Sequence, residues 1–445
     1  MKFAEAKGIL AKEQFGSRKH MSDIEHAINK RLTIDVSSRQ NKSNCIYIAN
    51  DAKSYYDQIL LMLAYLAMRD VGVPTQAALS SIKTLVNMNI HFKTAHGISK
   101  VKYGGTDWKI WPHGIGQGNG YGPAIWALIS SPLLKIMRFK GFGTSIHSPI
   151  SNEKLKMARF SFVDDSDQCE MTMANKDWTS QMCSTQQSLT LWETLLRTTG
   201  GAIEPTKSDW TKLKYKWQGG KVSLEEADPN DILYMRNPDG EVMELKQKDP
   251  TEAREALGVW QMATGSEETQ SNSLKANIAH WGNSITKSRI SRNEMAMAVK
   301  ITIGKTIWYP LGATTLSQKE LKSINKVFRW AALGKMKVVR MAPSLLTADP
   351  VQFRGLGMNN EVYKNQLIDH TLTLLAHRYT KTTTGTLLRT SLECLVIEAG
   401  MIEAGIGGDL GSFGASNMPW ITINTWVGST LQSYNKYDLE LETSI

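Results

Sequence analysis

An apolar run that ends in two adjacent carboxylates, Phe160-Ser161-Phe162-Val163-Asp164-Asp165, constrains this chain more than any other stretch. The β-formers from Ala158 to Val163 read as a strand. Like charges side by side repel, so a chain that sets them at a strand tip commonly neutralises them with a cation. A plain turn carrying two aspartates is an equal competitor. Gln168 to Met173 reads as the return strand, which places Asp164 and Asp165 at a tight hairpin tip. A second strand-like run, Cys45-Ile46-Tyr47-Ile48, leads to Asp51 just before a helical stretch. A carboxylate delivered at a strand end is a good metal anchor because the rigid element fixes its oxygens. The same aspartate is more commonly a helix cap. The geometric expectation is that these carboxylates, distant in the chain, converge on neighbouring strands.

Between and after these runs the pattern alternates. Ile59, Leu63 and Leu66 recur at helical spacing over Asp57–Arg69, with Gly72 and Pro74 ending the helix. A second helix is expected over Thr75–Met88 and a hairpin over His91–Tyr103, turning at His96-Gly97. Pro123 suits a first helical turn, and an apolar helix runs from it to about Arg138. A helix from Ser180 to Thr198 stops at Gly200-Gly201, as a glycine cap would stop it. The stretch 225–255 is acidic, with an Asn237-Pro238-Asp239-Gly240 turn between two short strands, and reads as an insertion. After Gly265 the pattern is mostly helical, so a boundary is expected there between a mixed α/β part and a helical, basic part.

Two loops carry further chemistry. Gly114-Ile115-Gly116-Gln117-Gly118-Asn119-Gly120-Tyr121-Gly122 is dense enough in glycine to let backbone approach a ligand, and the helix behind it offers a positive dipole end. Gly200 to Ser208 forms a turn presenting Lys207. Taken singly, the first is also a surface loop and the second a solvated lysine.

Composition narrows the class. At 445 residues the chain exceeds one hydrophobic core, so two or three subdomains are expected. A formal charge of +10 suits a polyanionic partner. Lys319, Lys322, Lys326, Arg329, Lys335, Lys337 and Arg340 form a basic, Trp-containing stretch suited either to phosphates or to a solvated helix face. Cys45, Cys169, Cys183 and Cys394 are scattered singly and read as reduced packing residues. The nine histidines form no ligand-like cluster. The apolar stretches Ile59–Met68 and Ala124–Met137 are too short to span a bilayer, and Met1–Lys12 lacks the apolar block of a secretory signal. The expected location is therefore intracellular, in the nucleus or cytoplasm, with no membrane partner.

In their order, these patterns resemble reverse transcriptases, specifically those of non-LTR retrotransposons. Asp51-Ala52-Lys53-Ser54-Tyr55-Tyr56-Asp57 resembles motif A, Gly114 to Pro123 motif B, Phe162-Val163-Asp164-Asp165 motif C and Gly200 to Lys207 motif D. Glu13-Gln14-Phe15-Gly16-Ser17-Arg18 is similar to a fingers segment, and Ala256-Leu257-Gly258-Val259 to the motif E hairpin. The chain departs from the family's usual residues at Gly116 and Gly122, where Pro and Ser are usual, and at Phe162, where Tyr is usual.

The resemblance implies an α/β (α+β) fold: a right-hand polymerase palm with an antiparallel sheet and helices, partial fingers, and a mostly helical thumb-like C-terminal region. Residues 1–50 would be the partial fingers. Residues 51–265 would be the palm, with a fingers-derived segment 70–112 and the acidic insertion 219–255. Residues 266–445 would be the thumb-like part, and the chain is expected to begin inside the fingers. The implied activity is RNA-directed DNA synthesis from a primer 3′-hydroxyl with deoxynucleoside triphosphates, on an RNA template and a DNA primer. Two Mg²⁺ ions, or Mn²⁺, would be held by Asp51, Asp164 and Asp165, with Lys207 as general acid. Tyr56, Gln117, Gly118, Asn119 and Arg18 would handle nucleotide and template. Alternatives stay open: an impaired element remnant that only binds nucleic acid, an intron-encoded maturase, or an RNA-copying relative.

Overall fold

The computed structural model describes the chain except for residues 20, 52–54, 105–113, 117, 164, 172–176, 340, 344–346, 348–361, 401–423, 438 and 440–445; for Tyr55, Tyr103 and Gly104 it describes backbone alone. The expected sites at Gln117 and Asp164, and Arg340 of the basic stretch, lie outside the described residues. The fold is mixed α/β and divides into two compact units, each assembled from separate stretches. The first comprises Met1–His26, Ser43–Ser145 and Lys156–Asp249; the second comprises Ala27–Lys42, Ile146–Leu155 and Pro250–Ile445. This differs from a single boundary near residue 265.

The strands in chain order are β1 (Cys45–Asn50), β2 (Asn89–Thr94), β3 (Gly97–Gly104), β4 (Thr144–His147), β5 (Lys154–Met157), β6 (Phe160–Phe162), β7 (Asp165–Met171) and β8 (Asp209–Leu213). They continue with β9 (Tyr215–Gln218), β10 (Lys221–Leu224), β11 (Tyr234–Arg236), β12 (Val242–Glu244), β13 (Lys246–Lys248), β14 (Arg254–Ala256) and β15 (Val259–Gln261). The helices are α1 (Lys2–Ala6), α2 (Asp23–Ile34), α3 (Tyr55–Gln58), α4 (Leu61–Asp70), α5 (Thr75–Val86), α6 (Gly122–Phe139) and α7 (Trp178–Thr198). The C-terminal stretch adds α8 (Glu268–Lys287), α9 (Arg292–Ala298), α10 (Gly304–Trp308), α11 (Gln318–Lys335), α12 (Val362–His377), α13 (Thr383–Glu398) and α14 (Trp426–Tyr437).

The first unit is organised by a five-stranded sheet in the order β13-β8-β1-β7-β6. The most apolar strand, β1, takes the centre and pairs antiparallel with both β7 and β8. Its Ile46 and Ile48 point into a core with Trp192, Leu196 and Trp210. α6 supplies Ile125, Ile129, Leu133 and Met137 to that core at the four-residue spacing that lines one helix face. As expected, Pro123 lies in its first turn. The hairpin β2–β3 also forms, one to two residues wider than expected. The return strand begins at Asp165, earlier than expected, because Phe162 pairs directly with Asp165. The acidic stretch is woven into the unit: Leu233, Met235 and Leu245 are core residues, and β13 extends the sheet parallel to β8.

The second unit is largely helical, around Leu274, Ile278, Ile303, Ile307, Leu321, Ile324 and Phe328. Its hairpin β14–β15 turns on Leu257 and Gly258, both at positive φ (51° and 77°), as a two-residue type I′ turn demands. Its separated stretches are joined by ion pairs, of which the Arg31 group is buried. Arg31 contacts Asp35 and Glu267, each at 3.3 Å, and Arg389 meets Glu153 at 2.7 Å. Among the described residues, no helix is long and apolar enough to cross a membrane.

Candidate active site

The sheet register of the first unit sets the carboxylates. Ala49 stands opposite Asp167 on β7 and Asp209 on β8, and Asn50 stands opposite Ser166. One step further along the same antiparallel ladder, Asp51 follows Asn50 and Asp165 precedes Ser166. Directly opposed residues share a face and alternate residues return to it. Asp51, Asp165, Asp167 and Asp209 therefore lie on one face, and Ile46 and Ile48 turn the other toward the core. Asp167 accepts a 2.8 Å hydrogen bond from the Tyr47 hydroxyl, and Asp209 meets Lys248 at 2.8 Å. Asp164 adjoins Asp165 in the chain and lies outside the described residues.

The hairpin tip is clamped from behind. Val163 has φ 57°, a left-handed conformation that costs a β-branched residue about 1–2 kcal/mol. Gln14 holds it there: its Oε1 accepts from the N–H groups of Val163 (3.0 Å) and Gly16 (2.9 Å). Its Nε2 donates to the Val163 carbonyl and to Ser130 Oγ, both at 3.2 Å. Trp126 Nε1 donates to the same carbonyl. Gly16 is required, since a Cβ there would stand 2.5 Å from Val163. The backbone of 13–15 runs alongside β6, with Phe15 N–H on Ser161 O at 2.8 Å and Ser161 N–H on Glu13 O at 2.9 Å. Burial pushes the Glu13 carboxyl above its usual range, and Arg138, 3.1 Å away, opposes that shift.

Asp51 is gripped through its backbone, leaving its side chain 41% exposed. Its carbonyl accepts from Glu204 N–H at 3.0 Å and its N–H donates to Ser208 Oγ at 3.2 Å. The turn Pro205–Lys207 thereby docks on the end of β1 and brings Lys207 Nζ to 3.6 Å from Asp51 Oδ2. Residues 51 and 207 thus meet.

The glycine loop closes on α3. Ile115 N–H donates to the Tyr56 carbonyl at 2.8 Å. Gly114, at φ 83°, fits because a Cβ there would stand 2.1 Å from that carbonyl oxygen. The Tyr56 ring lies beside Gly122, where a Cβ would be 3.4 Å away, so a small residue at 122 leaves the ring its place. Gly118 is exposed at φ 83°. Asn119 closes the loop locally: its Nδ2 donates to the Ile115 carbonyl at 3.2 Å.

On the core face a polar network braces β7. Buried Arg159 donates to Ser166 Oγ at 2.8 Å and to Gln168, and its guanidinium lies 4.3 Å from the Trp192 ring. Desolvation pushes its pKa down to about 9, against the pull of Glu170 and Asp167. Desolvation likewise raises Glu170, whose carboxylate accepts from Gly143 N–H at 2.9 Å and Ser188 Oγ at 2.9 Å.

Arg18 is engaged within the N-terminal segment. Its guanidinium grips the Glu5 carboxylate and the carbonyls of Ala11 (2.9 Å) and Gln14 (3.2 Å), which makes it a clasp for the N-terminal segment. In the second unit, Lys319, Lys322 and Lys326 form an exposed stripe on α11, while Arg329 and Lys335 turn back onto the carbonyls of Ala342 and Ser288. Sequence reasoning gave no role to Gln14, Tyr47 or Asp167. The alternation Asp165-Ser166-Asp167 was the available signal for the last, since a strand puts both aspartates on one face.

Carboxylate oxygens are hard donors, of the kind that hard divalent cations take. Among the described residues, no group of three or more His, Cys, Asp or Glu side chains is placed to hold a metal ion. No protein-family model and no curated protein matches the chain. Among solved structures, telomerase from Candida albicans in complex with a TWJ fragment of telomeric RNA is similar at TM-score 0.39 and 10% identity, over 91% of this chain and 56% of that one. Telomerase from Candida tropicalis, with a TWJ fragment of telomeric RNA and in its apo form, gives TM-scores of 0.33 and 0.32 at 10% and 11% identity. Those two superpositions cover 89% and 91% of this chain and 52% and 58% of the others, so the chain spans about half their length. Likeness at this level carries no argument about the site.

Proposed function

We propose that this chain is an RNA-directed DNA polymerase of the reverse-transcriptase kind, from a retrotransposon, built on a palm formed by the first unit. The observation that carries the reading is that segments far apart in sequence meet near the end of β1: 200–208 is tied to Asp51 by two hydrogen bonds and Lys207, 114–123 is tied to Tyr56, and β7, which begins at Asp165, pairs with β1 as far as Asn50. Asp51, Asp164 and Asp165 would hold two Mg²⁺ or Mn²⁺ ions, and bound ions of this kind neutralise the charge that develops on a transferring phosphoryl group. Lys207, beside Asp51, is placed to give its proton to the departing pyrophosphate. Tyr56 presents its ring under the sugar, where a 2′-hydroxyl would collide. Gln117 and Gly118 border the templating pair. RNA template, DNA primer and deoxynucleoside triphosphates are the partners.

Primer extension on an RNA template with Mg²⁺ or Mn²⁺ tests this. Asp51→Asn should lower extension by roughly 10³-fold or more, since ion neutralisation contributes several kcal/mol, while cooperative unfolding stays unchanged. Wild-type extension by that variant would remove the reading. A folded chain that binds RNA yet extends no primer would replace it with the non-catalytic remnant. In the same assay Tyr56→Ala should incorporate ribonucleotides; unaltered sugar selection would take Tyr56 out of the scheme.

A further inference from the structure

In the second unit, α12, α14 and the turn leading into α11 enclose a pocket of about 290 Å³, near the lower end of the range for small-molecule sites. Its wall is rich in hydroxyls and amides, Ser317, Gln318, Ser429 and Gln432 among them. No Asp or Glu side chain is found among its described lining residues. A metal ion or a basic ligand would meet no counter-charge there.

Gln366 lines this pocket and is nine-tenths buried. Its Nε2 donates to the Leu316 carbonyl at 2.9 Å, and its Oε1 has no hydrogen-bond partner among the described residues. A buried amide oxygen left so is costly, and the group asks for a donor. His370 does not compete for that donor. Its Nε2 faces the carbonyls of Leu311 and Thr314 at 3.0 Å and its Nδ1 faces the Thr430 hydroxyl at 2.9 Å. Burial pushes its pKa down to about 4, so the ring adds no charge at neutral pH.

Two further features select the donor. Tyr363 and Tyr437 stack with centroids 5.7 Å apart and planes 15° from parallel, putting an aromatic pair in the pocket wall. Lys322 Nζ lies 5.6 Å from the Tyr363 ring and Lys436 Nζ 5.9 Å from the Tyr437 ring, the latter steered by Gln318 Oε1 at 2.7 Å. A flat ring with an N–H edge, joined to an anion, satisfies all three demands.

We propose that this pocket takes one unpaired nucleotide of a single-stranded nucleic acid, its base edge donating to Gln366 Oε1, its ring against the tyrosine pair and its phosphate toward Lys322 and Lys436. Base-on-aromatic stacking with lysines along the backbone is the general chemistry of single-strand capture. None of the polymerase residues takes part, so the two readings stand or fall separately.

The test is fluorescence anisotropy of the full chain with labelled single-stranded 12-mers, RNA in one arm and DNA in the other. Tyr437→Ala and Gln366→Leu should each weaken binding by about 5- to 100-fold in at least one arm. Gln366→Leu keeps its volume, so it decides the matter if Tyr437→Ala does not fold. Both variants folded and binding like wild type would overturn the site. On the unaltered chain, a 4-thiouridine 12-mer should crosslink within 362–377 or 424–437; crosslinks confined to other segments would also overturn it.

Discussion

Gln14 commits both halves of its amide to one turn, and at the scale of single residues this contact matters most to the candidate site. The Val163 backbone is held in a conformation that valine resists, one residue before Asp164 and two before Asp165. Without an acceptor, the buried Gly16 N–H would cost about 1–3 kcal/mol, and the part-buried Val163 N–H would add to that. Gln14→Ala should therefore destabilise the chain by roughly 2–5 kcal/mol in urea unfolding and depress any primer extension. Gln14→Glu keeps the acceptor and should recover part of both. A loss under about 1 kcal/mol for the alanine variant would show that Val163 needs no clamp. The motif containing Gln14 was readable in the sequence, whereas its partner was not: the contact spans 149 positions, and no local pattern encodes it. Asp51 and Lys207 were readable because each sits in a short motif with its own turn signals.

At the scale of elements, periodicity located most helices and strands but not where they break. Ile59, Leu63 and Leu66 predict one helix over 57–69, yet the chain makes α3, a break at Leu60 and then α4. Leu60 is extended, with ψ 120°, because its N–H donates to the Thr199 carbonyl at 2.9 Å. There α7 has just ended, and Gly200, at φ 91°, fits where a Cβ would stand 2.2 Å from the Gln58 carbonyl oxygen. The glycine was legible as a helix stop; its second duty, receiving another helix end, depends on packing that spacing does not carry. The same holds for β13. Its sequence is polar, and only the parallel ladder to β8 and the burial of the adjacent Leu245 make it part of the sheet. Asp165, Asp167 and Asp209 share a face with Asp51 for the opposite reason: strand alternation is local, so once the register of β1 is known their placement follows.

For the whole molecule, composition and length implied more than one core, and the chain divides into two compact units, but the expected boundary near residue 265 treated the C-terminal part as continuous. The second unit includes residues 27–42, and the reason is electrostatic. Asp35 is buried and accepts from Arg31, Arg39 and the Trp426 N–H, the last at 2.8 Å. Arg31 also donates to the Gly265 carbonyl at 3.2 Å and meets Glu267, which receives the Thr315 N–H at 3.0 Å. Removing one side of a buried charge network leaves the other unpaired, at a cost of about 3–5 kcal/mol, comparable with the stability of an ordinary domain. The fragment 250–445 expressed alone should therefore lack cooperative thermal unfolding and near-ultraviolet circular dichroism, whereas the full chain shows both. Addition of a peptide spanning 23–42 should restore part of that signal, and a peptide carrying Asp35→Ala should not. A fragment that melts cooperatively without the peptide would mean that the helical core, not the Asp35 network, holds the second unit together.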